Sequence, residues 1–299
     1  MVEIDFSTIC YYFNITFNIY FFNNMKSFSQ IIKESFNSTD INELDPYIVE
    51  GLNIDPISKT VSLTDTHNHG IDFSLVNNPV YSKYKEYDVI SIFKRTKLYD
   101  IDNQQRDGNP FIYALKNKYG WKFSITNEEI YKYIKRFLSI CKKINSQYDT
   151  IIVTPSTSDI NEKFMKVISD QIKFKDILNE FFVKLSIEEI IDDDLIDKEQ
   201  ILKDYPNEFN KVIAEIHRSF RRMKGTSFEA KIMNKKYLKY IKYISTEYDE
   251  DIRSKIDGKD ILILDDTISS GETISQCING VLSNFVPKSI TIITLLSKL

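Results

Sequence analysis

Two adjacent carboxylates, Asp265 and Asp266, stand between four apolar residues and a run of hydroxyls in ILILDDTISSGETI, residues 261–274. Neighbouring carboxylates repel a phosphate, so their natural targets are a pair of vicinal hydroxyls, a magnesium ion, or both. The residues that follow suit the opposite charge. Backbone N–H groups at a helix start attract an anion, Ser269, Ser270 and Thr273 add hydroxyl donors, and Gly271 lets the backbone come close. The helix dipole contributes only about 0.3–1 kcal/mol to such an anion when exposed, so directed hydrogen bonds must supply much of the affinity. The stretch thus describes a receptor for a sugar phosphate, with diol and phosphate on one face.

Such a receptor needs a particular frame. By composition and length ILIL reads as a buried strand, and a helical pattern begins at Gly271. Asp265 to Ser270 are therefore expected to form a strand-to-helix loop at the carboxyl end of a parallel strand, where open α/β sheets bind ligands. The chain contains no G-x-x-x-x-G-K-[ST] and no G-x-G-x-x-G, which removes the P-loop and the dinucleotide fingerprint. A plain surface turn with a helix cap uses the same residue types, but the hydroxyl run and the glycine exceed what capping requires.

ILILDDTISSGETI resembles the phosphoribosyl-diphosphate binding motif of type I phosphoribosyltransferases: four apolar residues, two acidic ones, four mostly small or hydroxylic ones, Gly, any residue, and Thr or Ser. The resemblance implies that Asp265 and Asp266 engage the ribose hydroxyls, with Mg²⁺ held through those hydroxyls or water. It implies that Thr267, Ile268, Ser269, Ser270, Gly271 and Thr273 wrap the 5-phosphate. The family places a pyrophosphate loop after its first core strand; here YDTIIVTP is that strand, and Pro155, Ser156, Thr157 and Ser158 are the loop, without the glycines many relatives carry. A mobile basic loop in the family corresponds to the segment 211–243, which holds ten Lys or Arg against two Glu. Within it Arg222 and Lys224, beside Gly225, are the expected catalytic cations, neutralising the leaving pyrophosphate. Ser269 stands where the 6-oxopurine enzymes carry an Asp, which disfavours a hypoxanthine–guanine activity.

The expected fold is therefore a type I phosphoribosyltransferase-like α/β domain over 126–299: a parallel sheet flanked by helices. An N-terminal α+β accessory or hood region, rich in β, is expected over 25–125, and a disordered or mis-started leader over 1–24, with Met25 as the natural start. TVSLTDT and IDFSLV around HNHG read as a hairpin, YDVISIFKRT and FFVKLS as strands, and 205–221 as a helix. Thr126 with Glu129, and Asp159 with Glu162, read as capping boxes. The last helix is expected to bury Ile274, Cys277, Ile278, Val281 and Leu282. DTHNHG at 65–70 has the letters of a metal-hydrolase opening, but the only further histidine is His217, so a turn is expected.

Composition narrows the class further. A net charge of −4 argues against a general nucleic-acid binder, and cysteines as scattered as Cys10, Cys141 and Cys277 indicate neither a disulfide framework nor a zinc site. The apolar leader is interrupted by Asn14, Thr16 and Asn18 and carries no Lys or Arg, so it suits neither a membrane span nor a secretory signal. The cytoplasm, of a host if the chain is phage-encoded, is the simplest setting; DGNPFIYALKNKYGW and MKSFSQIIKESF look like segments of phage proteins of this kind. The resemblance implies a glycosyltransferase that takes phosphoribosyl diphosphate, or a nucleoside monophosphate in reverse, with an unidentified base as acceptor and a homodimer as the expected assembly. The alternatives are a non-catalytic phosphoribosyl-diphosphate or nucleotide-binding regulator, and a structural or interaction protein on the same fold.

Overall fold

The computed structural model describes residues 51–64, 71–95, 98–99, 105–106, 109–116, 119–124, 136–156, 160–223, 228–230, 232–268 and 270–297. The expected leader, the helix after Met25, DTHNHG, and the caps at Thr126, Glu129 and Asp159 lie outside these residues.

The strands in chain order are β1 (Gly51–Asp55), β2 (Thr60–Thr64), β3 (Ile71–Asp72), β4 (Val80–Tyr84), β5 (Tyr87–Arg95), β6 (Leu98–Tyr99), β7 (Gln105–Arg106), β8 (Lys122–Phe123), β9 (Thr150–Val153), β10 (Asp176–Leu178), β11 (Phe182–Lys184), β12 (Ile244–Thr246), β13 (Asp260–Ile268) and β14 (Ser289–Ser297). The helices are α1 (Asn109–Leu115), α2 (Ile160–Ser169), α3 (Ile187–Asp192), α4 (Lys198–Asp204), α5 (Phe209–Arg222), α6 (Lys235–Leu238), α7 (Glu250–Ile256) and α8 (Glu272–Asn284), with a further helical stretch described over 136–142. The architecture is mixed α/β. Its centre is a seven-stranded sheet ordered β10-β9-β13-β14-β5-β3, with β4 also paired to β5. From β10 to β5 every neighbouring pair is parallel, while β3 and β4 run antiparallel to β5.

The continuous apolar run of β13 follows from its place in that sheet. Ile261 and Ile263 enter one buried core with Ile274, Cys277, Ile278 and Val281 of α8, whereas Leu262 and Leu264 enter a second with Phe164 and Ile168 of α2. A strand covered on both faces cannot alternate with polar residues. Helix α5 starts at Phe209 rather than at 205 and buries Val212, Ile216 and Phe220 of the expected face, while Phe209 and Ile213 are only half-buried. On α8 the inward face is as expected except at Leu282, which is 47 % exposed.

Several expectations need correction. Strand β5, from the N-terminal side of residue 125, is part of the central sheet and pairs parallel with β14. Its five consecutive buried residues, 89–93, carry the double-sided burial of a central strand. TVSLT does not pair with IDFSLV: β2 pairs antiparallel with β1, and β3 pairs with β5. The turn that decides this is held by Asp55, whose Oδ1 accepts from the amides of Ile57 (2.8 Å) and Ser58 (3.2 Å), an Asx arrangement. The strand read in FFVKLS exists as β11 but pairs with β12, outside the central sheet.

Candidate functional site

Asp265 to Ile268 are not loop. They continue β13, paired with β14 at Asp265–Thr294, Thr267–Leu296 and Ile268–Ser297. The connection to α8 is correspondingly short, with Gly271 at its N-cap in the left-handed region (φ 76°). A side chain there is strained by the backbone alone. It would also collide with Tyr84 at the end of β4, since an added Cβ would lie 2.6 Å from the ring Cζ and 2.8 Å from the hydroxyl. Gly271 thus admits the β4–β5 hairpin as well as a tight turn.

The carboxylates are held by different partners. Asp265 is 7 % exposed, and its Oδ1 accepts from Thr154 Oγ1 at 2.7 Å and from Asn161 Nδ2 at 3.4 Å. Asn161 also donates to Thr154 Oγ1 (2.9 Å) and to its carbonyl (3.0 Å), which locks the three together. Burial, and then the charge of Asp266, push the Asp265 carboxyl up to about 7, against the pull of Thr154, Lys116 and Asn161. Asp266, 5 % exposed, forms an ion pair with Lys116, which follows α1. Its Oδ2 faces the ammonium as a charge contact, without a partner of hydrogen-bond geometry.

Both carboxylates open into a cleft of about 400 Å³. One wall comes from the end of β5 and the chain after it, with Arg95, Tyr113, Lys116 and Tyr119; the other comes from the end of β11 and the excursion to β12, with Lys184, Glu229 and Lys235. The floor is Thr267, Ile268, Ser270, Gly271 and Thr273, with Pro155 and Ser156 beside it. Ile268 is 1 % exposed with its side chain in the core, so its contribution to a ligand is backbone. Thr273 Oγ1 lies 3.1 Å from the hydroxyl of Tyr243, which stacks on Phe228 with centroids 4.6 Å apart; burial raises that phenol well above its usual range. Tyr113 and Tyr119 meet edge to face at 5.1 Å, and Tyr119 is 48 % exposed with a φ of 58°.

The structure therefore gathers Asp265, Asp266, Thr267, Ile268, Ser270, Gly271, Thr273, Pro155 and Ser156 around one cleft. Ser269, Thr157, Ser158, Lys224 and Gly225 lie outside the described residues. Arg222 is not brought in: it is exposed on the last turn of α5 and is not among the residues lining the cleft. Cations at the cleft come instead from Arg95, Lys116, Lys184 and Lys235. Sequence reasoning missed Lys116, Thr154, Asn161 and Tyr84. A threonine directly after TIIV, at the carboxyl end of a parallel strand, is a local signal that could have found Thr154. A single lysine after an apolar helix carries no such signal.

The oxygen-only character of the two carboxylates suits a hard cation such as Mg²⁺. Among the described residues no group of three or more His, Cys, Asp or Glu could hold a metal ion. No helix among the described residues is long and apolar enough to cross a membrane. Compared with known proteins, the chain matches no family model, no curated protein and no solved structure, so its site is defined by its own geometry.

Proposed function

We propose that this cleft binds phosphoribosyl diphosphate with Mg²⁺ and transfers the phosphoribosyl group to a nitrogenous base or another acceptor, on a type I phosphoribosyltransferase-like arrangement. The observation that carries the reading is the placement of Asp265 and Asp266, consecutive residues in the carboxyl-terminal half of β13, in one cleft with the N-terminus of α8. The carboxylates take the 2- and 3-hydroxyls as acceptors, and the amides after Gly271, with Thr267, Ser270 and Thr273, take the 5-phosphate. Mg²⁺, when bound, supplies charge neutralisation to the diphosphate. In the transfer, a nitrogen lone pair attacks the anomeric carbon while the bond from that carbon to the diphosphate oxygen breaks, and diphosphate leaves with its electron pair. Lys184 and Arg95, both at the cleft, favour that departure by accumulating positive charge where negative charge develops. The rings of Tyr113 and Tyr119 offer an apolar surface to a planar acceptor.

Calorimetric titration of phosphoribosyl diphosphate with Mg²⁺ tests this, on the wild type and on Asp265→Asn/Asp266→Asn. Binding by the wild type that the double variant loses is the expected result; a wild type that does not bind removes the reading. Release of diphosphate across a panel of nitrogenous bases then tests transfer.

A regulator that binds the same ligand without turnover is favoured by one observation. The loop after β9 begins with a threonine committed to Asp265, lacks an amide N–H at Pro155 and has no glycine through residue 158, which limits close approach of its backbone to a diphosphate. Binding without release of diphosphate from any acceptor is its signature.

A further inference from the structure

Lys116 lines the cleft, yet neither the motif nor its expected ligands explain it. Its backbone amide still donates to the carbonyl of Ile112 at 2.9 Å, so it prolongs α1, which is anchored by the buried Phe111, Ile112 and Ala114. From that fixed base the side chain, 15 % exposed, enters the cleft and meets Asp266, whose side chain is 7 % exposed. The ammonium therefore occupies the position that a sugar diol or a cation must take to reach Asp266. Two carboxylates this buried, one beside the other, need a compensating charge while no ligand is present. A lysine suits that duty because its head is a compact charge on a flexible stem, able to leave without moving the helix.

We infer that Lys116 is a resident counter-ion of the Asp265–Asp266 pair, displaced when a metal-bound sugar phosphate enters and then taken up by that ligand's phosphate oxygens. This rests on the proposed function for the identity of the ligand, but the exchange of ammonium for metal does not. The lysine makes the unliganded site a poor trap for free divalent cations and couples metal uptake to arrival of the anionic sugar. The metal and the diol gain Asp266, and the phosphates gain the ammonium it releases.

The test uses the full chain and Mn²⁺ alone as a spectroscopic probe, with Lys116→Met and Lys116→Arg, each checked for folding by thermal unfolding. Lys116→Met is expected to bind Mn²⁺ about tenfold more tightly than the wild type, a modest share of what removing a unit charge a few ångströms away can do. Lys116→Arg, which keeps the charge, should stay within about twofold. Affinity for phosphoribosyl diphosphate with Mg²⁺ should move the other way, falling about tenfold in Lys116→Met through loss of a charge-assisted contact. No gain in Mn²⁺ affinity, including no measurable binding by either protein, overturns the counter-ion role. A gain in Mn²⁺ affinity with unchanged or tighter sugar-phosphate binding overturns the transfer of the ammonium to the ligand. If Mn²⁺ binding tightens while the wild type ignores phosphoribosyl diphosphate, the counter-ion stands, its transfer to that ligand falls, and the proposed function falls with it.

Discussion

Thr154 donates a 2.7 Å hydrogen bond to Oδ1 of Asp265, joining the end of β9 to the motif on the adjacent parallel strand β13. The bond supports a charge that burial opposes. Thr154→Val keeps the shape but leaves the carboxylate one donor short, which costs about 1–3 kcal/mol for a buried acceptor. Urea unfolding should show that loss, and titration with phosphoribosyl diphosphate should show weaker binding in the same variant.

Asp265 makes stability depend on pH in an unusual direction. The unfolded carboxyl titrates near 3.8 and the folded one near 7, so between these values the folded chain holds the extra proton. Stability from this group therefore falls as pH rises through that window, and the penalty is complete above it. Asp265→Asn removes the slope. Its melting temperature relative to the wild type should rise between pH 5 and pH 8 while sugar-phosphate binding is lost; an advantage that shrinks with pH would contradict the assigned burial cost.

Gly271→Ala combines a left-handed backbone with a collision against Tyr84. The expected destabilisation exceeds about 1 kcal/mol. Adding Tyr84→Ala should recover the part due to the collision and leave the backbone part. Thermal unfolding of the two single variants and the double variant separates them.

Tyr119 is an exposed aromatic residue held at positive φ, with Lys59 Nζ bonded to its carbonyl at 2.8 Å. Tyr119→Gly relieves about 1–2 kcal/mol of left-handed strain and forfeits an edge-to-face contact with Tyr113 of about 0.5–1.5 kcal/mol. Net stability should change by less than about 1 kcal/mol. If the ring serves an acceptor, KM for that acceptor should rise at least about tenfold while kcat changes less. An unchanged KM removes the aromatic surface from the site.

Arg222 and Lys184 provide a contrast, because the sequence points to the first and the structure to the second. Arg222 is exposed on α5 and does not line the cleft, whereas Lys184 at the end of β11 does. Arg222→Ala should leave affinity for phosphoribosyl diphosphate within about twofold, and Lys184→Ala should weaken it by about tenfold. Isothermal titration of both variants decides between the two cations.

The strand, the carboxylates and the helix start were legible because β13, its short connection and α8 are contiguous, so the types of neighbouring residues report one local geometry. Helix α5 and most of the inward face of α8 were legible for the same reason: a 3.6-residue period records which side is buried. The extent of β13 was not. Whether Asp265 to Ile268 belong to a strand or a loop depends on the length of β14 beside them, and β14 lies beyond α8 in the chain. The place of β5 was equally hidden, because an apolar run states that a strand is buried without naming its neighbours.

By itself, then, the sequence determined a local arrangement: an apolar strand, two carboxylates, hydroxyls, and a glycine opening a helix. Tertiary structure alone decided what surrounds it. Thr154 and Asp265 are 111 residues apart, and Lys116 with Asp266 and Tyr84 with Gly271 are separated by still more chain. The first pair arises from the order of strands in the sheet, β9 beside β13, and the other two from where α1 and the antiparallel β4 pack. A parallel sheet brings distant carboxyl ends to one edge through crossovers whose pairing no local pattern encodes.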